Sequence, residues 1–183
     1  MSKVKRLVAS YEKYIAIPWR SDAAAAQRVV ICVYNEADEL RLRTKIDEFE
    51  IATKQSGHNW ALFDLTDSFA RWLCGQKYAQ SYFKKPNLLP TIYPNFLEHI
   101  IEGFKRFLEE NQADETYVVA VKGVGALFGF LKVKEVVEKL APMVSGRLLV
   151  FFPGSYEDNN YRLLDGYDGW NYLAVPITAD KDI

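Results

Sequence analysis

The heptapeptide RVVICVY at residues 28–34 decides the fold. It is a continuous apolar run of strand length, and half of it is β-branched. An alternating pattern would mark a strand with one wet face. An unbroken one marks a strand covered on both faces, as in a parallel sheet. Two further runs share this character, TYVVAV at 116–121 and RLLVFF at 147–152, and NWALFDL at 59–65 reads as another strand. Between them lie segments of helical period. Residues 36–56 carry Leu42, Ile46 and Phe49 on one stripe, with Asn35 as N-cap, acids in the first turn and Gly57 as the stop. Thr66 or Asp67 caps a helix through Phe69, Trp72 and Leu73. Pro94 opens a strong helix through Phe96, Ile100 and Phe104, and residues 132–140 form a last one before Pro142. Residues 84–90, with Pro86 and Pro90, read as a loop.

Strands alternating with helices predict right-handed crossovers and a mostly parallel sheet. The expectation is a single α/β domain of three layers spanning residues 1–183. It begins with an amphipathic helix within residues 1–17, on Val4, Leu7, Val8, Tyr11 and Ile15. It ends in an aromatic-rich tail, 155–183, with short strands at 161–164 and 172–177 beside the turn signals Asp165-Gly166 and Asp168-Gly169. Pro153 and Gly154 are expected to close the strand before it. The 183 residues suffice for a core without staples. Charge is balanced, with 23 Lys and Arg against 24 Asp and Glu, which lacks the basic surplus of a dedicated nucleic-acid binder.

Cys32 and Cys74 both lie beside apolar residues and read as reduced, buried thiols. The first seventeen residues lack the apolar core of a signal peptide, and no run has the length of a membrane span. A soluble cytoplasmic protein is the expectation.

Ligands on such sheets sit at the carboxyl ends of the strands. The glycines Gly123, Gly125 and Gly129 follow the strand 116–121 there, where backbone amides can cradle a phosphate. Their spacing is one residue off the dinucleotide fingerprint. The turn between them is filled by Val124, Ala126, Leu127 and Phe128, so a structural turn is favoured over a phosphate site. No Gly-Lys-Ser/Thr occurs, and acids follow the first strand, so a standard phosphate loop is excluded. Asp64 and Asp67 offer an Mg²⁺ site for a nuclease, against the simpler reading of a strand end and a cap. His58 and His99 and the two cysteines show no zinc spacing. The tail interleaves Tyr156, Tyr161, Tyr167 and Trp170 with Arg162. These types cover a sheet edge, anchor protein interfaces or stack bases; the absence of excess Lys and Arg sets the last reading lowest.

The order of segments in the last third carries a resemblance. A strand at 118–121 leads through Lys122-Gly123-Val124-Gly125 into FGFLKV at 128–133. A helix at 136–140 follows, then LLVFFPG at 148–154, YRLL at 161–164 and Asn171-Tyr172. This resembles the BrxB family of bacteriophage-exclusion (BREX) defence systems, with similarity over most of the chain. Residues 171–174 (NYLA) depart from the paired aromatics and basic residue that often close family members. The resemblance implies a nucleotide-binding-like α/β sheet without a phosphate loop. It also implies a non-catalytic component without a cofactor, working beside a PglZ-type protein, a PglX methyltransferase and a large ATPase. The PglZ-type protein is the implied direct contact, with Tyr156, Tyr161, Arg162, Tyr167 and Trp170 as candidate contact residues. A degenerate nucleotide- or phosphate-binding module on Gly123, Gly125 and Gly129 is the alternative, followed by the nuclease.

Overall fold

A computed structural model describes residues 2–166 and 169–180. Tyr167 and Asp168 therefore lie outside the described residues, and with them one candidate contact and half of one turn signal. The helices are α1 (Lys3–Ile15), α2 (Glu39–Arg43), α3 (Ile46–Gln55), α4 (Ser68–Cys74), α5 (Ala79–Lys84), α6 (Tyr93–Glu110) and α7 (Val133–Leu140). The strands are β1 (Val29–Tyr34), β2 (Asn59–Asp64), β3 (Tyr117–Lys122), β4 (Arg147–Glu157), β5 (Asn160–Leu163) and β6 (Val175–Ile177). The sheet order is β2-β3-β4-β1-β6, with every neighbouring pair parallel. β5 lies antiparallel on the far end of β4. The α/β architecture read from the sequence is thus the observed one.

All six residues of β1 are buried, as the unbroken apolar run requires. Alternate side chains enter two cores. Val29, Ile31 and Val33 pack with Phe96, Ile100 and Phe104 of α6 and with Val133, Val136, Val137 and Leu140 of α7. Val30, Cys32 and Tyr34 pack with Leu7, Val8 and Tyr11 of α1 and with Ile46, Phe49 and Ala52 of α3. In the second core, Phe49 meets Tyr11 at 5.1 Å and Phe151 edge-on at 4.9 Å between ring centroids. The buried Tyr11 hydroxyl lies 2.7 Å from Thr53 Oγ1, which donates to the Phe49 carbonyl at 2.8 Å. This chain satisfies the only polar groups that the aromatic contact carries inward.

Four expectations are corrected. Residues 36–56 are not one helix. A 3-10 turn (Glu36–Asp38) precedes α2, and the chain breaks again before α3. Asn35 does cap the turn, its Oδ1 accepting from Ala37 N at 3.0 Å. Thr44 Oγ1 donates to the Arg41 carbonyl at 2.8 Å, a side chain competing for helix backbone where the helix ends. Residues 84–90 are not an irregular loop, because α5 runs into a 3-10 segment, Pro86–Ile92. Cys32 is buried, but Cys74 is exposed at the end of α4.

The fourth correction is β4, which does not stop at Pro153-Gly154. It continues to Glu157 and turns through Asp158 and Asn159, both at positive φ (49° and 64°), into β5. Two left-handed residues make the hairpin turn whose twist matches the strands, and Asp and Asn tolerate that conformation best after glycine. A Cβ at Gly154 would stand 1.9 Å from the Arg162 carbonyl oxygen, so only glycine lets β5 approach there. Among the described residues no helix is long and apolar enough to cross a membrane.

Phe49→Ala removes a fully buried ring from the α1–α3 core. It is expected to cost about 3–5 kcal/mol in urea denaturation. Ile51→Ala, on the exposed face of the same helix, is expected to stay within about 0.5 kcal/mol of wild type.

Candidate functional site

The strand order puts the exits of the sheet on opposite faces. The chain leaving β1 runs through α2 and α3 over one face, whereas β3 returns to β4 through α7 on the other. Such a reversal opens a crevice at the carboxyl edge, the usual ligand position. A cleft of about 260 Å³ lies there, at the ends of β1 and β4. Its charged lining residues are Lys3, Asp38, Glu157 and Asp180, joined by Asn35 and Thr178. One ammonium faces three carboxylates. Arg41 holds Asp38 at 2.9 Å and Arg6 holds Asp180 at 3.2 Å. With those two pairs made, Lys3 and Glu157 balance each other and the lining carries no net charge, while the Asn35 Oδ1 is engaged in its cap.

Beside the cleft, the Tyr34 hydroxyl donates to Glu39, whose other oxygen accepts from Arg43 Nε at 2.7 Å. Burial and the neighbouring Glu39 carboxylate push the Tyr34 phenol far above its ordinary pKa, so it stays a neutral donor. At the ends of β2 and β3, Asp64 and Lys122 are register partners with an ion pair at 3.1 Å. Asp64 Oδ1 also accepts from Thr66 N at 2.9 Å. Burial alone would raise the Asp64 pKa. The Thr66 hydrogen bonds and the Lys122 ammonium outweigh it, and the carboxyl sits below its usual range.

Asp64 and Asp67 are engaged by different partners. Asp67 pairs with Arg71 at 3.6 Å on the exposed face of α4, while both oxygens of Asp64 are engaged. Neither Thr66 nor Asp67 caps α4 through its side chain. His58 lies at the opposite, amino-terminal edge, stacked on Trp19 at 3.6 Å, with the Arg147 guanidinium over the same indole at 4.6 Å. Among the described residues no three His, Cys, Asp or Glu side chains gather as metal ligands.

The glycine turn is packed against its neighbours. Gly123 has φ +82°, and a Cβ there would meet Thr66 N at 2.5 Å. The turn after β3 therefore rests directly on the turn after β2. Gly125 abuts Pro153, with only 3.1 Å between the Cβ position and Cγ. Val124 and Leu127 point into the core. The amides of Ala126 and Phe128 donate to the carbonyls of Gly123 and Gly125, at 3.0 and 3.2 Å, so neither is left for a ligand. Gly129, also at positive φ, has open space where a Cβ would stand.

The tail residues divide. Tyr161 is fully buried, its ring 4.6 Å from Tyr156, 5.0 Å from Trp170 and 5.9 Å from Phe152. Tyr161 was expected on a contact surface and instead packs the core beneath β5, because the extension of β4 folds it inward. Trp170 is half-buried and pairs backbone to backbone with Tyr161, at 2.8 and 3.0 Å. Tyr156 is half-buried and donates to Asn159 Oδ1 at 3.0 Å, while Arg162 is exposed. Sequence reasoning missed the cleft altogether. Its residues come from α1, the end of β1, the hairpin and the segment after β6, and no local spacing links them.

Gly123→Ala is expected to destabilise the fold by about 2 kcal/mol or more, from left-handed strain together with the clash on Thr66. Gly129→Ala carries the strain alone and is expected to cost about 1 kcal/mol. Thermal and urea unfolding of the two variants separates close approach from conformation.

No curated protein and no solved structure matches the chain. The family model described as BREX protein BrxB matches residues 74–176, more than half of the chain, from the end of α4 to β6. This chain therefore belongs to the BrxB family and is a component of a BREX defence system.

Proposed function

We propose that this component is non-catalytic and acts by binding another protein of the system, a PglZ-type protein being its direct contact. The observation that carries the reading is how the side chains at the ends of β2 and β3 and after β1 pair with one another. Where a sheet of this topology holds a substrate, Gly123 lies on Thr66, and the Asp64 and Glu39 carboxylates are held by Lys122 and Arg43. A catalytic acid or base needs a free group aimed at a reacting atom. The side chains at these strand ends are committed to one another instead.

The outer surface supports the same reading. Arg162 is exposed on one face of the hairpin, the half-buried Tyr156 and Trp170 lie with Tyr161 on the other, and Leu173 is 83% exposed on the same tail. Arg and the aromatics are the types that carry binding energy at protein interfaces. Tyr161 acts from below, holding the hairpin that displays them.

The test is light scattering on a gel-filtration column, with the chain alone and co-expressed with the PglZ-type protein of its own system. A heterocomplex of defined stoichiometry is expected. Separate elution of the two proteins at micromolar concentration contradicts the proposal.

A further inference from the structure

The segment from residue 74 to residue 95 contains no fully buried side chain. It is nonetheless regular. α5 is closed by Lys85 N donating to the Ser81 carbonyl at 2.9 Å, and Leu88 N donates to the Lys85 carbonyl at 3.0 Å. Within it Tyr78, Phe83 and Leu88 are 59%, 53% and 38% exposed. Ordering a chain costs conformational entropy, normally offset by burying apolar groups. Tyr93 packs on Phe69 and Phe130, but Tyr78, Phe83 and Leu88 face outward, and exposed clusters of that kind mark contact surfaces.

Charge identifies what the surface fits. Residues 68–97 contain no Asp or Glu, while Arg71, Lys77, Lys84 and Lys85 all fall inside. The chain as a whole has a net charge of -1, so this positive stretch stands apart. Arg71 is held by Asp67, and the Lys77 ammonium lies 5.3 Å from the centre of the Tyr78 ring.

We infer that residues 77–88 are a docking face for a protein whose complementary patch has an apolar centre and an acidic rim. Tyr78, Phe83 and Leu88 fill the centre, and Lys77, Lys84 and Lys85 meet the rim. This rests on the proposed interaction role and locates one of its contacts away from the tail. A nucleic acid fits less well. Tyr78 and Phe83 could stack bases, but a handful of cations gives few phosphate contacts, and the chain as a whole carries a net charge of -1. A second copy fits less well too, because a two-fold contact would set the same lysines against themselves.

The experiment compares wild type with Tyr78→Ser/Phe83→Ser and with Lys84→Glu/Lys85→Glu in binding to the PglZ-type protein. All four positions are exposed, so melting temperatures are expected to stay near wild type. Each double variant is expected to bind about tenfold more weakly or worse. Wild-type affinity is expected to fall with added salt, and that dependence to shrink in the charge-reversed variant. A complex that forms equally well with both variants overturns the docking face and leaves the interaction role standing. No complex even with wild type overturns both. A fluorescent oligothymidine bound by wild type and released by Lys84→Glu/Lys85→Glu, with protein binding unaltered, overturns the inference in favour of nucleic acid. A homodimer dissolved by Tyr78→Ser/Phe83→Ser overturns it in favour of self-association.

Discussion

A parallel strand buried on both faces cannot exist without cover on both faces, and β1 imposes that demand on the rest of the chain. Val29, Ile31 and Val33 need α6 and α7; Val30, Cys32 and Tyr34 need α1 and α3. β4, alongside β1 in register from Leu148 to Pro153, has the same need and shares the same cover. α1, α3, α6 and α7 are amphipathic because each answers one side of this sheet. Phe49 shows how closely the cover fits. It fills the space between Tyr11 and Phe151, and the Tyr11 hydroxyl is satisfied by Thr53 one turn further along α3.

The same arrangement shapes the carboxyl edge. The exit from β1 crosses one face and the return from β3 crosses the other, and the cleft at the carboxyl edge lies at the ends of β1 and β4, against α1 and the segment after β6. The chain lines it with paired charges and fills the neighbouring strand ends with their own turns. Gly123 is small so that two turns touch, which is a different use of glycine from a phosphate loop, where the open space admits a ligand. Buried surface is concentrated around the sheet, whereas residues 74–95 carry no fully buried side chain and expose Tyr78, Phe83 and Leu88.

Most of the fold was legible because it rests on local period. The runs at 28–34, 116–121 and 147–152 each became a central strand, and the stripes of α1, α6 and α7 each became a core face. The misses have local causes. Attention to Asp-Gly pairs passed over Asp158-Asn159, where two left-handed non-glycine residues make the turn. That miss in turn put Tyr161 on the surface, since its burial depends on β4 running on past Pro153. Cys74 follows an aromatic stretch yet ends α4 facing out, because Leu73, one residue earlier, takes the inward position. Two prolines made residues 84–90 read as loop and hid a regular, uncovered segment. Its sequence signal was present all the same, as thirty residues without a single acid. The family, read from the order of segments after residue 118, agrees with the match over residues 74–176.

The central claim is that the paired strand ends serve the scaffold and that function is exercised on the outside of it. Hydrogen–deuterium exchange, measured on the chain alone and on its complex with the PglZ-type protein, tests this most directly. The account predicts new protection in residues 74–95 and unchanged exchange in the strand-end turns at 34–39, 64–68 and 122–131. Protection appearing in those turns, with residues 74–95 exchanging as in the free chain, would contradict it and would make the carboxyl edge the working surface.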